Sequence, residues 1–258
     1  MTLHQDGEEY TMSLPTITSQ EQWITARKEL LAKEKELTRH RDEINAERRR
    51  LPMVEIAKDY VFEGPAGKAG LLDLFEDRRQ LLIYHFMFDP SWTGGCPSCS
   101  LLVDNIGHIS HLHARDTSLD LVSRAPLDKL EAYQRRMGWS ITWYSSYGSE
   151  FNYDFHVTLD QAVAPVEYNY RDTAEFEKDP DWAGWAGELP GTSAFLRDGD
   201  RVFHTYSSYA RGGDLLLGTY NWLDLTANGR QEDWEQPPGR ADGAFMRWVR
   251  RHDEYGTG

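Results

Sequence analysis

From residue 81 to residue 88 the chain is apolar or aromatic almost without interruption: Leu81, Leu82, Ile83, Tyr84, His85, Phe86, Met87 and Phe88. A run this short and continuous predicts a strand buried on both faces, because a half-buried strand would alternate. Asp89 and Pro90 end it, and Ser91, Trp92, Thr93, Gly94 and Gly95 form a loop. Beyond the loop, Leu101, Leu102, Asn105, Ile106, Ile109 and Leu112 recur at helical spacing, so a helix is predicted to open at Cys96-Pro97-Ser98-Cys99 and continue toward Arg115. Upstream, Tyr60 and Phe62 alternate with polar neighbours before a Gly-Pro-Ala-Gly turn, which predicts a hairpin over 59–70 and then a short helical piece over 71–76. A strand over 119–123 and a helix over 126–137, with Pro126 in its first turn, complete the order β, α, β, α. Segments 192–196 and 201–207, joined by Arg197-Asp198-Gly199-Asp200, predict a late hairpin on favoured turn chemistry. Phe245, Trp248 and Val249 predict an amphipathic helix over 241–252.

Two stretches stand outside this alternation. Thr18 with Glu21 and Ser19 with Gln22 form overlapping capping boxes ahead of a charged segment that runs to Arg50 before Pro52 stops it. This predicts one helix of roughly 45 Å. Trp23, Leu30, Leu37, Ile44 and Leu51 recur every seven residues, but Ala26, Lys33, His40 and Glu47 hold the complementary line, which makes half a coiled-coil seam. Residues 1–52 are therefore read as a tail and helical arm, residues 53–258 as the domain, and a homodimer held partly by the arm is expected. The second stretch, 138–155, carries Trp139, Trp143, Tyr144, Tyr147, Phe151, Tyr153 and Phe155 among serines and glycines. It predicts a strand over 141–144 and otherwise an insertion whose rings either pack the flank of the domain, the plainer reading, or line a groove in which Trp143 and Tyr147 form a flat substrate platform. Residues 179–191 read as a loop.

Both cysteines of the chain lie in one C-x-x-C at a predicted helix N-terminus. Free amides and the helix dipole favour a thiolate at the first position, and Pro97 suits the first helical residue, where its missing N–H costs nothing. Cys96 is the expected nucleophile and Cys99 the resolving thiol. Strand, loop, C-x-x-C and helix in this order give an α/β, thioredoxin-like fold, here with an N-terminal helical arm and an aromatic-rich insertion. The cysteine motif after Tyr84-His85-Phe86-Met87-Phe88, the run 138–155 and the ending Arg250-Arg251-His252-Asp253-Glu254-Tyr255-Gly256 resemble a bacterial family of predicted dithiol-disulfide oxidoreductases, catalogued as domain of unknown function eight-nine-nine. The resemblance implies a thioredoxin-like fold and no established substrate. Two positions depart from thioredoxins: Gly95 stands where Trp precedes the first cysteine and Ser98 where Pro precedes the second. Gly191 occupies the place of the cis-proline, with Pro190 one residue early.

Composition narrows the function. With 258 residues and 40% hydrophobic content the chain can bury a full core, and a net charge of −14 argues against nucleic acid and anionic membrane as partners. Residues 1–10 lack the basic and apolar regions of a signal peptide, so a cytoplasmic location is expected, with a thiol or disulfide substrate and no cofactor or metal. A second reading is a peroxidase, since Pro90, Thr93 and Cys96 resemble the peroxidatic motif of peroxiredoxins with the Pro–Thr gap one residue short, and Arg211 would lower the thiol pKa. A third is a metal or interaction module using the cysteines with His108, His111 and His113. A continuous helix opposes it by separating Cys99 and His108 by about 13 Å. His85 and Asp89 are candidate proton relays to Cys99; a satisfied core histidine and a turn aspartate are the plainer readings.

Overall fold

A computed structural model of the protein describes residues 15–176, 178, 184–238, 241 and 243–256; the sequence readings for residues 1–10 and for 179–183 of the loop 179–191 lie outside them. Contacts divide the chain into two units, one of Met1–Arg50 with Thr219–Trp248 and one of Leu51–Gly218 with Val249–Gly258. No helix among the described residues is long and apolar enough to cross a membrane.

The first unit begins with α1 (Gln20–Arg48), capped as the sequence predicts: Ser19 accepts from the Gln22 amide at 3.2 Å, and the Ser19 amide donates to the Gln22 side chain at 3.4 Å. None of its residues is buried.

The second unit opens with β1 (Val54–Glu55) and the predicted hairpin, β2 (Val61–Gly64) with β3 (Gly67–Gly70). A 3-10 turn over Asp73–Phe75 leads into β4 (Gln80–His85), followed by α2 (Pro97–Asp104), α3 (Ser110–His113), β5 (Thr117–Ser123), α4 (Leu127–Met137), β6 (Trp143–Ser145) and α5 (Phe151–Asp154). The two-residue strands β7 (Thr158–Leu159), β8 (Glu167–Tyr168), β9 (Arg171–Asp172) and β10 (Gly187–Glu188) form two small ribbons with α6 (Thr173–Phe176) between them, and the late hairpin is β11 (Gly191–Asp198) with β12 (Arg201–Tyr209). Gly199 supplies the left-handed residue of its turn at φ 60°. The main sheet is eight-stranded, in the order β1-β12-β11-β4-β5-β6-β2-β3. At its centre β4 and β5 are parallel while β11 runs antiparallel to β4 and β12 antiparallel to β11. With α2 and α4 as crossovers, this is a thioredoxin-like core.

β4 is covered on both sides, as its unbroken apolar run requires. Leu81 and Ile83 join Phe62, Leu74, Phe75, Phe151, Phe155 and Phe195 on one face. Phe86, just past the other face's Tyr84, packs on Tyr133 of α4 and Trp143 of β6, with ring centroids 6.3 and 4.7 Å away. The aromatic stretch 138–155 thus supplies core: Trp143, Phe151 and Phe155 are buried, and its strand lies in the main sheet.

Two predicted helices are corrected. α2 stops at Asp104 instead of running toward Arg115, because the Asn105 side chain turns back onto the Leu101 carbonyl at 2.7 Å and Gly107 follows. The helix predicted over 241–252, of which residue 242 lies outside the described residues, does not form. After α7 (Gly218–Leu223), buried Glu232 gathers its surroundings. It accepts from the Tyr220 hydroxyl at 3.1 Å, the Trp248 indole at 3.0 Å and the Met246 amide at 2.9 Å. Met246 has φ 57°, so its amide serves a carboxylate where a helix would need it. Only a 3-10 turn over His252–Glu254 remains.

Asp120 sits buried on β5 with Oδ2 unpartnered. Burial, and then the Glu76 charge, push its pKa from 3.8 up to about 8. The folded state therefore keeps a proton that the unfolded chain has released, and stability falls as pH rises from 3.8 toward 8. Asp120→Asn should flatten that fall, by up to about 1.4 kcal/mol per pH unit in the window. Urea denaturation of both proteins at about pH 5 and about pH 7 measures it. Parallel pH dependences would show that Asp120 is not the group responsible.

Candidate active site

Cys96 is the N-cap of α2, and Pro97 is in its first turn. The Cys96 amide donates back to the Met87 carbonyl at 3.2 Å, while its own carbonyl accepts from the Ser100 amide at 3.0 Å and hydroxyl at 2.8 Å. The first turn is thereby tied to the end of β4. Both cysteines are free thiols, Cys96 half-buried and Cys99 buried. The Cys99 thiol bonds the Cys96 sulfur, and the Cys99 and Ser98 amides with the Ser98 hydroxyl add to it; together they outweigh burial and lower the Cys96 pKa to about 7. Burial, then the neighbouring Cys96, drive Cys99 well above the ordinary thiol value. The Tyr84 hydroxyl and the Met87 amide, the latter at 3.5 Å, both donate to the Cys99 sulfur.

Cys96 faces an open cavity of about 480 Å³ lined by residues 91–97 and Arg251. The loop over it is held by its carbonyls. Lys129 of α4 donates to the Pro90 carbonyl at 2.6 Å and the Trp92 carbonyl at 3.1 Å. Arg251 donates to the Gly95 carbonyl through Nη2 at 2.7 Å and Nε at 3.1 Å, and its Nε also reaches the Tyr133 hydroxyl at 2.8 Å. Gly95 has no room for a side chain: a Cβ would lie 2.6 Å from the Phe86 ring and 3.0 Å from that of Tyr133. That contact is the physical reason for glycine where thioredoxins carry tryptophan. Gly191 is similarly confined, since a Cβ would approach the Tyr209 ring to 2.8 Å.

Of the residues singled out in the sequence, Thr93, Cys96 and Pro97 share the cavity and Cys99 lies behind it. Asp89 accepts from the Ser91 amide at 2.8 Å and hydroxyl at 2.6 Å, a turn that opens the loop. His85 points to the other face of the sheet from Tyr84, between Phe151 and Phe155, where burial lowers its pKa to about 3 and keeps it neutral. Its Nε2 bonds Ser193 at 2.8 Å, Ser193 bonds Ser207 at 2.8 Å, and Ser207 bonds His204 at 2.7 Å. Arg211 pairs with Asp214 and lines a different cavity, with 206–210. His108 and His111 lie in and after the break beyond α2, and no three His, Cys, Asp or Glu side chains among the described residues are grouped to hold a metal.

Sequence reasoning missed Tyr84, Lys129, Tyr133 and Arg251. For Arg251 there was a signal, because it belongs to the ending 250–256 that carries the family resemblance, but nothing in the spacing ties it to a carbonyl 156 residues away.

Solved structures similar to the chain include peroxidoxin BcpB from Mycobacterium tuberculosis, at 13% identity over 66% of this chain and 95% of that one, with a TM-score of 0.41. Peroxiredoxin Q from Xanthomonas campestris aligns at 12% identity over 66% of this chain and 95% of its own, TM-score 0.41. A candidate protein disulfide isomerase from Bacteroides thetaiotaomicron aligns at 18% identity over 66% and 91% of the two chains, TM-score 0.37. No curated protein matches the sequence. The family described as bacterial protein of unknown function (DUF899) matches residues 12–255, and the chain belongs to that family.

Proposed function

We propose that the protein is a thiol-disulfide oxidoreductase. The observation that carries this reading is the asymmetry of the pair, one sulfur lowered toward neutral pH at a cavity wall and the other buried behind it as a thiol. The Cys96 thiolate attacks one sulfur of a substrate disulfide, forming a mixed disulfide and expelling the other substrate sulfur as a thiolate. Cys99 then loses its proton and attacks the Cys96 sulfur, so that the second substrate thiol leaves and a Cys96–Cys99 disulfide forms. A dithiol reductant returns the pair to thiols. The Tyr84 hydroxyl and Met87 amide, already on the Cys99 sulfur, stabilise its charge as that proton departs.

A peroxidase is the second reading, favoured by Thr93 and Arg251 lining the same cavity as Cys96. There the thiolate attacks a peroxide oxygen to give Cys96 sulfenic acid and water or an alcohol, and Cys99 condenses with it, releasing water.

Two copies of the chain, we also infer, pair through α1. Trp23, Leu30 and Leu37 are 54%, 52% and 67% exposed along its seven-residue line. The helix carries equal numbers of acidic and basic residues within a chain of net charge −14, so repulsion does not oppose its self-association.

Alkylation across pH should give Cys96 of the intact protein a midpoint near 7, and in the two single-cysteine serine variants Cys96 should react at neutral pH at least ~10-fold faster than Cys99. Equal rates would overturn the nucleophile assignment. The intact protein should exchange its disulfide against a glutathione series while turning over peroxide slowly; fast, saturable peroxide turnover selects the peroxidase instead. Arg251→Met frees the Gly95 carbonyl and should raise the Cys96 midpoint and slow exchange about tenfold, with Arg251→Lys restoring part. An unmoved Cys96 titration would leave Arg251 a packing residue only. By sedimentation, Trp23→Glu with Leu30→Glu should convert a dimer to monomer, and a monomeric intact chain would remove the pairing from consideration.

A further inference from the structure

A second cavity, of about 230 Å³, shares no residue with the one at Cys96. Its walls include the rings of Tyr60, Phe155, Tyr170 and Tyr209 and the carboxylates of Asp154 and Glu167. We propose that it binds a small organic ammonium compound, a site separate from the thiol chemistry.

The wall chemistry selects the charge. Aromatic faces present negative potential, and cations set against several such faces with a carboxylate nearby are held even in competition with water. The tyrosine hydroxyls are already spent within the protein. Tyr60 donates to Asp154 at 2.8 Å, Tyr170 to the Ser207 carbonyl at 2.9 Å and Tyr209 to the Phe155 carbonyl at 3.0 Å. These bonds fix the ring planes; Tyr170 and Tyr209 meet at 70° with centroids 5.7 Å apart, two walls of a corner.

The protein's own ammonium group marks the same preference. Lys58 Nζ lies 5.7 Å from the Tyr60 ring centroid and bonds Asp154 at 2.6 Å and also Glu150. Asp154 thus already shares a cation with Glu150. Glu167, by contrast, makes no ion pair among the described residues, and no lysine or arginine lines the cavity. Two imidazoles also line the cavity: His204 has its Nε2 on Ser207 at 2.7 Å and its pKa lowered by burial, so it does not offset Glu167, and His156 forms no ion pair among the described residues. An anion would meet uncompensated negative charge here. A neutral apolar ligand would forgo the charge that Glu167 and the rings attract.

Calorimetric titration of the intact protein with tetramethylammonium, choline and ethanolamine tests the site. At least one should bind saturably, and the uncharged carbon isostere of choline should bind about tenfold more weakly than choline or not at all. Glu167→Gln and Tyr170→Ala should each weaken binding several-fold while disulfide exchange at Cys96 stays as in the intact protein, which separates this site from the thiol reading. Absence of saturable binding for all three ammonium compounds overturns the proposal, as does equal binding of the uncharged isostere or affinity unchanged in Glu167→Gln.

Discussion

Covering β4 on both faces is the constraint from which the rest of the sheet-bearing unit follows. A strand with no solvent face needs two layers, one from the 3-10 turn and the rings of Phe62, Phe151 and Phe155, the other from α2 and α4. The alternation of side chains then decides which residue meets the cysteines. Tyr84 faces the helical layer and reaches Cys99, whereas His85, one residue later, is carried to the opposite face and into a wholly different set of partners.

The loop leading to Cys96 is fixed through main-chain groups. Lys129, Tyr133 and Arg251 come from remote parts of the sequence and all bind carbonyl oxygens, while Asp89 ties the loop's own first turn. Such a scaffold leaves the side chains of Trp92 and Thr93 uncommitted to holding the loop, so they can line the cavity without cost to its shape. It also concentrates demands on Gly95, which must offer its carbonyl to a guanidinium and its Cα to two aromatic rings at once.

What the sequence disclosed was local chemistry. The Asp198-Gly199 turn, the Ser19–Gln22 capping box and the proline after Cys96 are each decided within a few residues and appear in the structure as read, and the run at 81–88 gives the central strand, which ends at His85, three residues short of the run. The cysteine pair was legible for the same reason. The errors came where distant groups outbid local pattern. Phe245, Trp248 and Val249 have helical spacing, yet Glu232 takes the Met246 amide and the Trp248 indole. Arg211 was singled out for its position after the hairpin, while the arginine at the cavity is Arg251, brought there by the tertiary fold. The helix beyond Cys99 was overextended because Ile109 and Leu112 keep the period through a break imposed by Asn105.

The bond between His204 and Ser207 conceals a matter of parity. In a regular strand, residues three apart project from opposite faces and cannot bond. Here the pairing of β11 with β12 slips between Ala194 and Phe195, passing over Thr205, and the extra residue returns both side chains to one face. The irregularity is thus what makes the row His85, Ser193, Ser207, His204, buried at all but its last member, continuous across three strands. Three bonds join these four side chains, and two hydroxyl protons supply only two of them, so one imidazole must donate. With His85 Nδ1 unpartnered in the core, the cheaper arrangement leaves it a bare lone pair and has His85 Nε2–H donate first, which gives the row a direction. With Thr205 in the chain, a regular ladder would turn His204 and Ser207 to opposite faces and sever that row, leaving polar groups of the neighbouring strands buried without partners, so a defect in the ladder is the condition for order between the strands.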